Sequence, residues 1–206
     1  TGLLNTAGVN WATLHCYLVP EERKFRRWVQ LPYQATILLR NAKQGIQVCC
    51  FQAPPGASKT CGAALFALFY AILGGEDATM ILTTIRNVAL MAFANELDKW
   101  LLPDAPTREL FVACPAHTSW DGQWSSQRLA VEPGSKGKGE SIRKARVIMS
   151  TVGSLLAATA PSRYGARYYE HLIGNVQILG IDESQQQAGM DNLYITPLMD
   201  DGSAYV

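Results

Sequence analysis

Residues 46–60 read Ile46-Gln47-Val48-Cys49-Cys50-Phe51-Gln52-Ala53-Pro54-Pro55-Gly56-Ala57-Ser58-Lys59-Thr60, and an apolar run continues from Cys61 to Leu73. Residues 46–51 are apolar and rich in β-formers, which predicts a buried strand. Pro54, Pro55 and Gly56 break it into a loop. The run after Thr60 predicts a long buried helix, ended by Gly74 and Gly75. Strand, loop and helix in that order let backbone N–H groups curl around phosphate oxygens at a helix N-terminus. In a strict phosphate loop two glycines stand where this chain has Ala53 and Ser58, followed by Lys59 and Thr60. Lys59 is suited to neutralise charge between terminal phosphates, and the Thr60 hydroxyl to ligate Mg²⁺. Pro55, Gly56, Ala57 and Ser58 complete the loop, with Gly56 keeping part of it flexible. Ser58 is the main departure, because glycine there lets the main chain approach phosphate and adopt torsions closed to other residues. The competing reading is a Pro-Gly turn before a helix that happens to start with Lys-Thr.

Outward from the loop, helices and strands alternate. Ala35, Leu38, Leu39 and Ala42 have helical spacing, with Gly45 as a stop. Residues 78–83 (ATMILT) predict a second strand, and residues 87–101 a second helix with Ala89, Phe93, Leu97 and Trp100 near one face. Residues 110–113 and 147–150 are further strand candidates. A short helix is expected over residues 152–160 and another over 164–173. Residues 176–181 (VQILGI) form the last clear strand. This alternation indicates an α/β domain with a mainly parallel sheet. Residues 115–143 lack periodicity and read as a polar surface insertion, running into the basic residues Lys136, Lys138, Arg143, Lys144 and Arg146. That basic segment, like residues 21–28 (EERKFRRW), reads first as a solvated face and second as a contact to phosphate backbone. At 206 residues the expectation is one domain, from 31 to 206, after a flanking segment of residues 1–30.

Composition narrows the classes. With 48% hydrophobic residues the chain can bury a real core. A net charge of +1 gives no global attraction to polyanions, so a nucleic-acid surface has to be local. Five cysteines without a C-x-x-C argue against a disulfide framework or zinc module and fit a reducing intracellular compartment, nuclear or cytoplasmic. Cys114 and His117 lie three apart, but no second pair supports a metal site. The apolar run from Cys61 to Leu73 is too short for a bilayer, and no membrane association is expected.

The strand at 176–181 delivers Asp182 and Glu183. In ATPases with this arrangement the first carboxylate holds Mg²⁺, usually through water, and the second polarises the attacking water as general base. Paired acids at a strand end also occur as plain turn residues; the upstream loop favours the catalytic assignment.

These residues resemble a family. Ala53-Pro54-Pro55-Gly56-Ala57-Ser58-Lys59-Thr60 resembles the Gly-Pro-Pro-Gly-Thr-Gly-Lys-Thr loop of superfamily-one helicases, in the branch of the nonsense-mediated-decay helicase and its DNA- and RNA-acting relatives. Asp182-Glu183-Ser184-Gln185-Gln186 resembles that branch's Asp-Glu-x-x-Gln box. Leu31-Pro32-Tyr33-Gln34, Asn87-Val88-Ala89 and Met149-Ser150-Thr151-Val152-Gly153 are similar to three further motifs in the same order. The resemblance implies a three-layer, RecA-like P-loop NTPase fold using ATP and Mg²⁺. It implies that Gln34 contacts adenine, Lys59 the β- and γ-phosphates, and Thr60 with Asp182 the metal. Glu183 is then the base and Gln186 the γ-phosphate sensor; Asn87 and Thr151 contact single-stranded DNA or RNA. Arg86 and Met91 depart from the usual neighbours of Asn87.

The family's Gly-Asp-x-x-Gln strand does not follow the acidic box, residues 202–206 resemble its beginning, and a second motor domain with its arginine finger is not in this sequence. The expectation is therefore the first motor domain of a longer helicase, hydrolysing ATP only when completed. The alternative is a degenerate module, disabled by Ser58, that binds nucleic acid or serves as a scaffold. A small kinase is disfavoured by Gln186 and by the lack of a recognisable acceptor site.

Overall fold

The computed structural model describes residues 5–18, 59–73, 79–115, 130–131, 144–154 and 176–182. The elements are α1 (Trp11–Leu18), α2 (Lys59–Leu73), β1 (Thr79–Thr84), α3 (Asn87–Trp100), a 3₁₀ turn (Pro106–Leu110), β2 (Phe111–Cys114), β3 (Ala130–Val131), β4 (Val147–Thr151) and β5 (Val176–Ile181). The strands form one five-stranded sheet in the order β3-β2-β4-β1-β5, and every pairing is parallel. This is the α/β architecture with a parallel sheet that the alternation of elements predicts.

Parallel strands covered on both faces read as near-continuous apolar runs. All six residues of β1 and all five of β4 are buried. Met80, Leu82, Phe111, Ala113, Val147 and Met149 join α2 and α3 in one core, around Trp100, Phe93, Leu65 and Leu68. Ile81, Val112 and Ile148 alternate with these side chains and are fully buried as well, so both faces of β1, β2 and β4 are covered.

Boundaries shift for local reasons. Leu110 closes a 3₁₀ turn opened by Pro106, whose fixed φ suits a first helical position, so β2 starts one residue later than its apolar run. The buried stripe of α3 is Leu90, Phe93, Ala94, Leu97 and Trp100. Ala89, expected on that stripe, is only half-buried, because the stripe is centred one residue further on. Leu101 leaves the helix in extended geometry and bridges Val9 antiparallel. Within the expected insertion, Ala130 and Val131 pair in parallel with Val112 and Ala113 at the sheet edge. The predicted helix carrying Ala35, Leu38, Leu39 and Ala42, that at 164–173, residues 155–160 of the one at 152–160, the strand at 46–51, the charged stretch 21–28 and Lys136, Lys138 and Arg143 lie outside the described residues. No described helix is long and apolar enough to cross a membrane.

Residues 5–18 dock on the far end of α3, an attachment without periodic signature in the sequence. Asn10 N–H donates to Trp100 O at 2.6 Å and Leu102 N–H to Gly8 O at 2.8 Å. The Thr107 hydroxyl donates to Ala7 O, and Leu14 is fully buried. Gly8 has φ +73, and a Cβ there would overlap Ala105. Gly8→Ala is expected to destabilise by roughly 2–4 kcal/mol, from left-handed backbone strain plus overpacking. Urea denaturation measures this, and a change below about 0.5 kcal/mol, the ordinary surface range, would refute the account.

Candidate functional site

The C-terminal edge of the sheet is built by hydroxyl side chains. Thr84 ends β1; its Oγ1 accepts from Arg86 N–H at 3.2 Å and donates to Arg86 O at 3.1 Å. This turn holds Arg86 in extended geometry, and Arg86 O then accepts from Ala89 and Leu90 N–H. Helix α3 therefore starts on Asn87 with no side-chain cap and no acidic residue in its first turn. Asn87 is half-buried and Arg86 exposed, and Val88 is 76% exposed.

Thr151 ends β4 in register with Thr84. Its Oγ1 accepts from Ser154 N–H at 3.2 Å, the geometry of an N-cap, and donates to Ser154 Oγ at 3.1 Å. Ser154 Oγ donates in turn to Pro115 O at 2.9 Å, tying the end of β4 to the end of β2. Thr151 is thus buried with its hydroxyl engaged. Gly153 next to it is exposed, and a Cβ there would meet nothing within 4 Å.

Asp182 follows β5, and its N–H donates to Thr83 O at 2.9 Å, extending the β1–β5 ladder. Gly180 makes this pairing close: a Cβ there would overlap the buried Leu82 side chain. Three residues chosen from sequence at positions 87, 151 and 182 thereby share one edge, at the ends of the adjacent strands β4, β1 and β5. In open α/β sheets ligands bind outside the carboxyl ends of the strands.

Lys59 and Thr60 are the first two residues of α2, both half-buried. The first turn has no acidic residue of its own, so the positive end of the helix dipole is not offset there by a carboxylate of that turn. At the other end, Arg146 Nη1 donates to Ala71 O at 3.0 Å and Tyr70 Oη to Gln177 Oε1 at 3.0 Å. Arg146, counted in sequence with the basic segment, spends its charge on a helix C-terminus, whereas exposed Lys144 stands 3.9 Å from Glu109. Burial pushes the Tyr70 phenol up to about 12, opposed by the Arg146 guanidinium. Its contribution to stability is full below pH ~10 and is lost as pH rises through ~12, because the unfolded phenol ionises first. Stability of the wild type should fall more steeply than that of Tyr70→Phe between pH 10 and 12. Parallel urea titrations check this, and equal slopes would refute it.

Gln34, Pro55, Gly56, Ala57, Ser58, Glu183 and Gln186 lie outside the described residues. Thr84, Ser154 and Pro115 went unnoticed in the sequence. The Thr151-x-x-Ser154 spacing is a capping signal that could have found Ser154. Among the described residues no three of His, Cys, Asp and Glu group as metal ligands, and Cys114 is buried in β2.

Comparison with protein-family models, with curated proteins and with solved structures finds no match.

The chemistry of the edge rests on its own residues. Thr60 and Asp182 offer hard oxygen donors, the type Mg²⁺ takes together with water and phosphate oxygens. Asn87, Arg86 and the open main chain at Gly153 offer polar and cationic contacts of the type that hold a phosphate backbone.

Proposed function

We propose that this chain is the ATP-binding first motor domain of an ATP-dependent DNA or RNA helicase of superfamily one, on a RecA-like, three-layer P-loop NTPase core. The observation that carries this reading is the shared edge: Asp182 pairs with Thr83 at the end of β1, Asn87 opens the helix after that strand, and Thr151 ends the next. Supporting it, Lys59-Thr60 opens a helix packed in the same core.

In this reading Lys59 neutralises the β- and γ-phosphates, and Gln34 contacts adenine. Thr60 and Asp182 would hold Mg²⁺, which would supply neutralisation of phosphate charge. Glu183 accepts a proton from the attacking water, and Gln186 senses the γ-phosphate. Single-stranded nucleic acid lies along the edge at Asn87 and Thr151. Thr151 shapes this surface through its cap, and the neighbouring main chain at Gly153 presents it. A second motor domain supplies the remaining transition-state charge, so turnover by this chain alone is negligible.

The test is calorimetric titration of the chain with ATP, with and without Mg²⁺. Mg²⁺-dependent binding with negligible turnover is expected. Binding of single-stranded nucleic acid without any nucleotide binding would overturn the reading and is the behaviour of a degenerate module.

A further inference from the structure

Helix α2 and strand β5 each carry a candidate ATP-site residue at one end, Thr60 and Asp182, and meet at the other through Tyr70 and Gln177. Tyr70 is ten residues after Thr60, about 15 Å along a helix. Gln177 is five residues before Asp182, about 17 Å along a strand. From their common tie the two rods are therefore matched in length. Arg146, the residue before β4, pins the same turn of α2 by holding Ala71 O. Since β1 lies between β4 and β5, the last turn of α2 is held from both sides of the middle strand of that trio.

Apolar packing alone would fix this height poorly. The buried residues of α2 are the small Gly62, Ala64, Ala67 and Ala71 together with Leu65, Phe66 and Leu68. Hydrophobic burial is non-directional, so these apolar contacts define the height of the helix less sharply than a hydrogen bond of fixed length does. Hydrogen bonds tolerate only narrow ranges of length and angle. An α-helix is stiff along its axis, so a slip at Ala71 reappears undiminished at Lys59 and Thr60.

We propose that Tyr70 and Arg146 are positioning residues for the Mg²⁺ site: their bonds to Gln177 and Ala71 set the level of Thr60 relative to Asp182. Neither touches nucleotide or metal. This inference rests on the proposed ATP site and adds to it a ruler at the opposite edge of the sheet. The ruler governs the coupling between metal and nucleotide more than nucleotide affinity itself, because Lys59 on its flexible stem can follow a small axial shift, whereas the short Thr60 hydroxyl cannot.

The experiment uses the full chain and compares ATP affinity with Mg²⁺ and in EDTA for wild type, Tyr70→Phe, Arg146→Met and the double variant. Circular dichroism establishes that each is folded at the assay temperature. In the double variant the gain in ATP affinity from Mg²⁺ should shrink about tenfold, within the usual range of site-to-site coupling, while affinity in EDTA changes by less than about twofold. Arg146→Lys, which can still donate to Ala71 O, should restore part of the coupling. A merely structural role would lower the melting temperature and leave the coupling intact. Unchanged coupling in the folded double variant, or in the folded single variants should the double not fold, overturns the ruler alone. Absence of ATP binding by the wild type, or binding that survives Lys59→Ala, overturns the site and the ruler together.

Discussion

Arg108→Met is expected to lower the free energy of unfolding by about 3 kcal/mol, the low end of the cost of removing one partner of a buried ion pair, because Asp98 is only part-buried. The Arg108 side chain is 7% exposed and meets Asp98 Oδ1 at 2.7 Å. Its Nε donates to Leu102 O at 2.6 Å and its Nη2 to Leu101 O at 2.8 Å. One guanidinium thus serves the carboxylate and the carbonyls just beyond α3, where the helix has no further amide donors to offer. Methionine fills comparable space but leaves these acceptors without it. The same end of α3 bonds the N-terminal segment through Trp100 O and Leu102 N–H, so the loss should extend to the docking of residues 5–18. Arg108→Lys should rescue little, because an ammonium cannot reproduce the planar fork. Urea denaturation with the slope as a second observable checks this; a loss below about 1 kcal/mol at unchanged slope would remove Arg108 from the list of stabilising groups.

Lys59→Ala is expected to weaken binding of Mg²⁺-ATP on the order of 100-fold, within the range for truncating one side of a buried charge contact. Lys59 is the first residue of α2 and half-buried, so alanine, a strong helix former, should leave the helix intact and separate binding from folding. Asp182→Asn provides the complementary result. It should reduce the Mg²⁺-dependent part of the affinity and spare binding in EDTA, because amide and carboxylate differ in charge and hardly in size. Calorimetry on both variants measures this. Tight Mg²⁺-ATP binding by Lys59→Ala would sink the phosphate-loop assignment and with it the role of Thr60.

The fold class was legible in the chain because the central strands β1 and β4, buried throughout, and the part-buried β5 leave largely apolar runs, and the runs at 78–83, 147–150 and 176–181 match β1, β4 and β5 to within a residue. The acidic strand end was legible for the same reason: an apolar run ending on Asp182 needs no knowledge of its neighbours. Helix α1 escaped notice because its burial depends on the end of α3, some ninety residues away. Arg108 escaped notice because a lone arginine in a polar turn has the same local sequence whether it faces water or a carboxylate and two carbonyl groups. Thr151 shows the difference most directly. As a residue in a motif it is a candidate contact; in the fold its hydroxyl caps the following turn and holds Ser154, which holds Pro115.

By itself the sequence determined where β1, β2, β4, β5, α2 and α3 run and which side chains could carry phosphate and metal chemistry, since hydrophobic period and residue type are local properties. Strand order, the gathering of Asn87, Thr151 and Asp182 on one edge, and the ties of α2 at Tyr70 and Arg146 were decided only by the tertiary structure. Those features depend on which distant surfaces bury one another, and hydrophobic burial, being non-directional, leaves no mark of its partner in the chain.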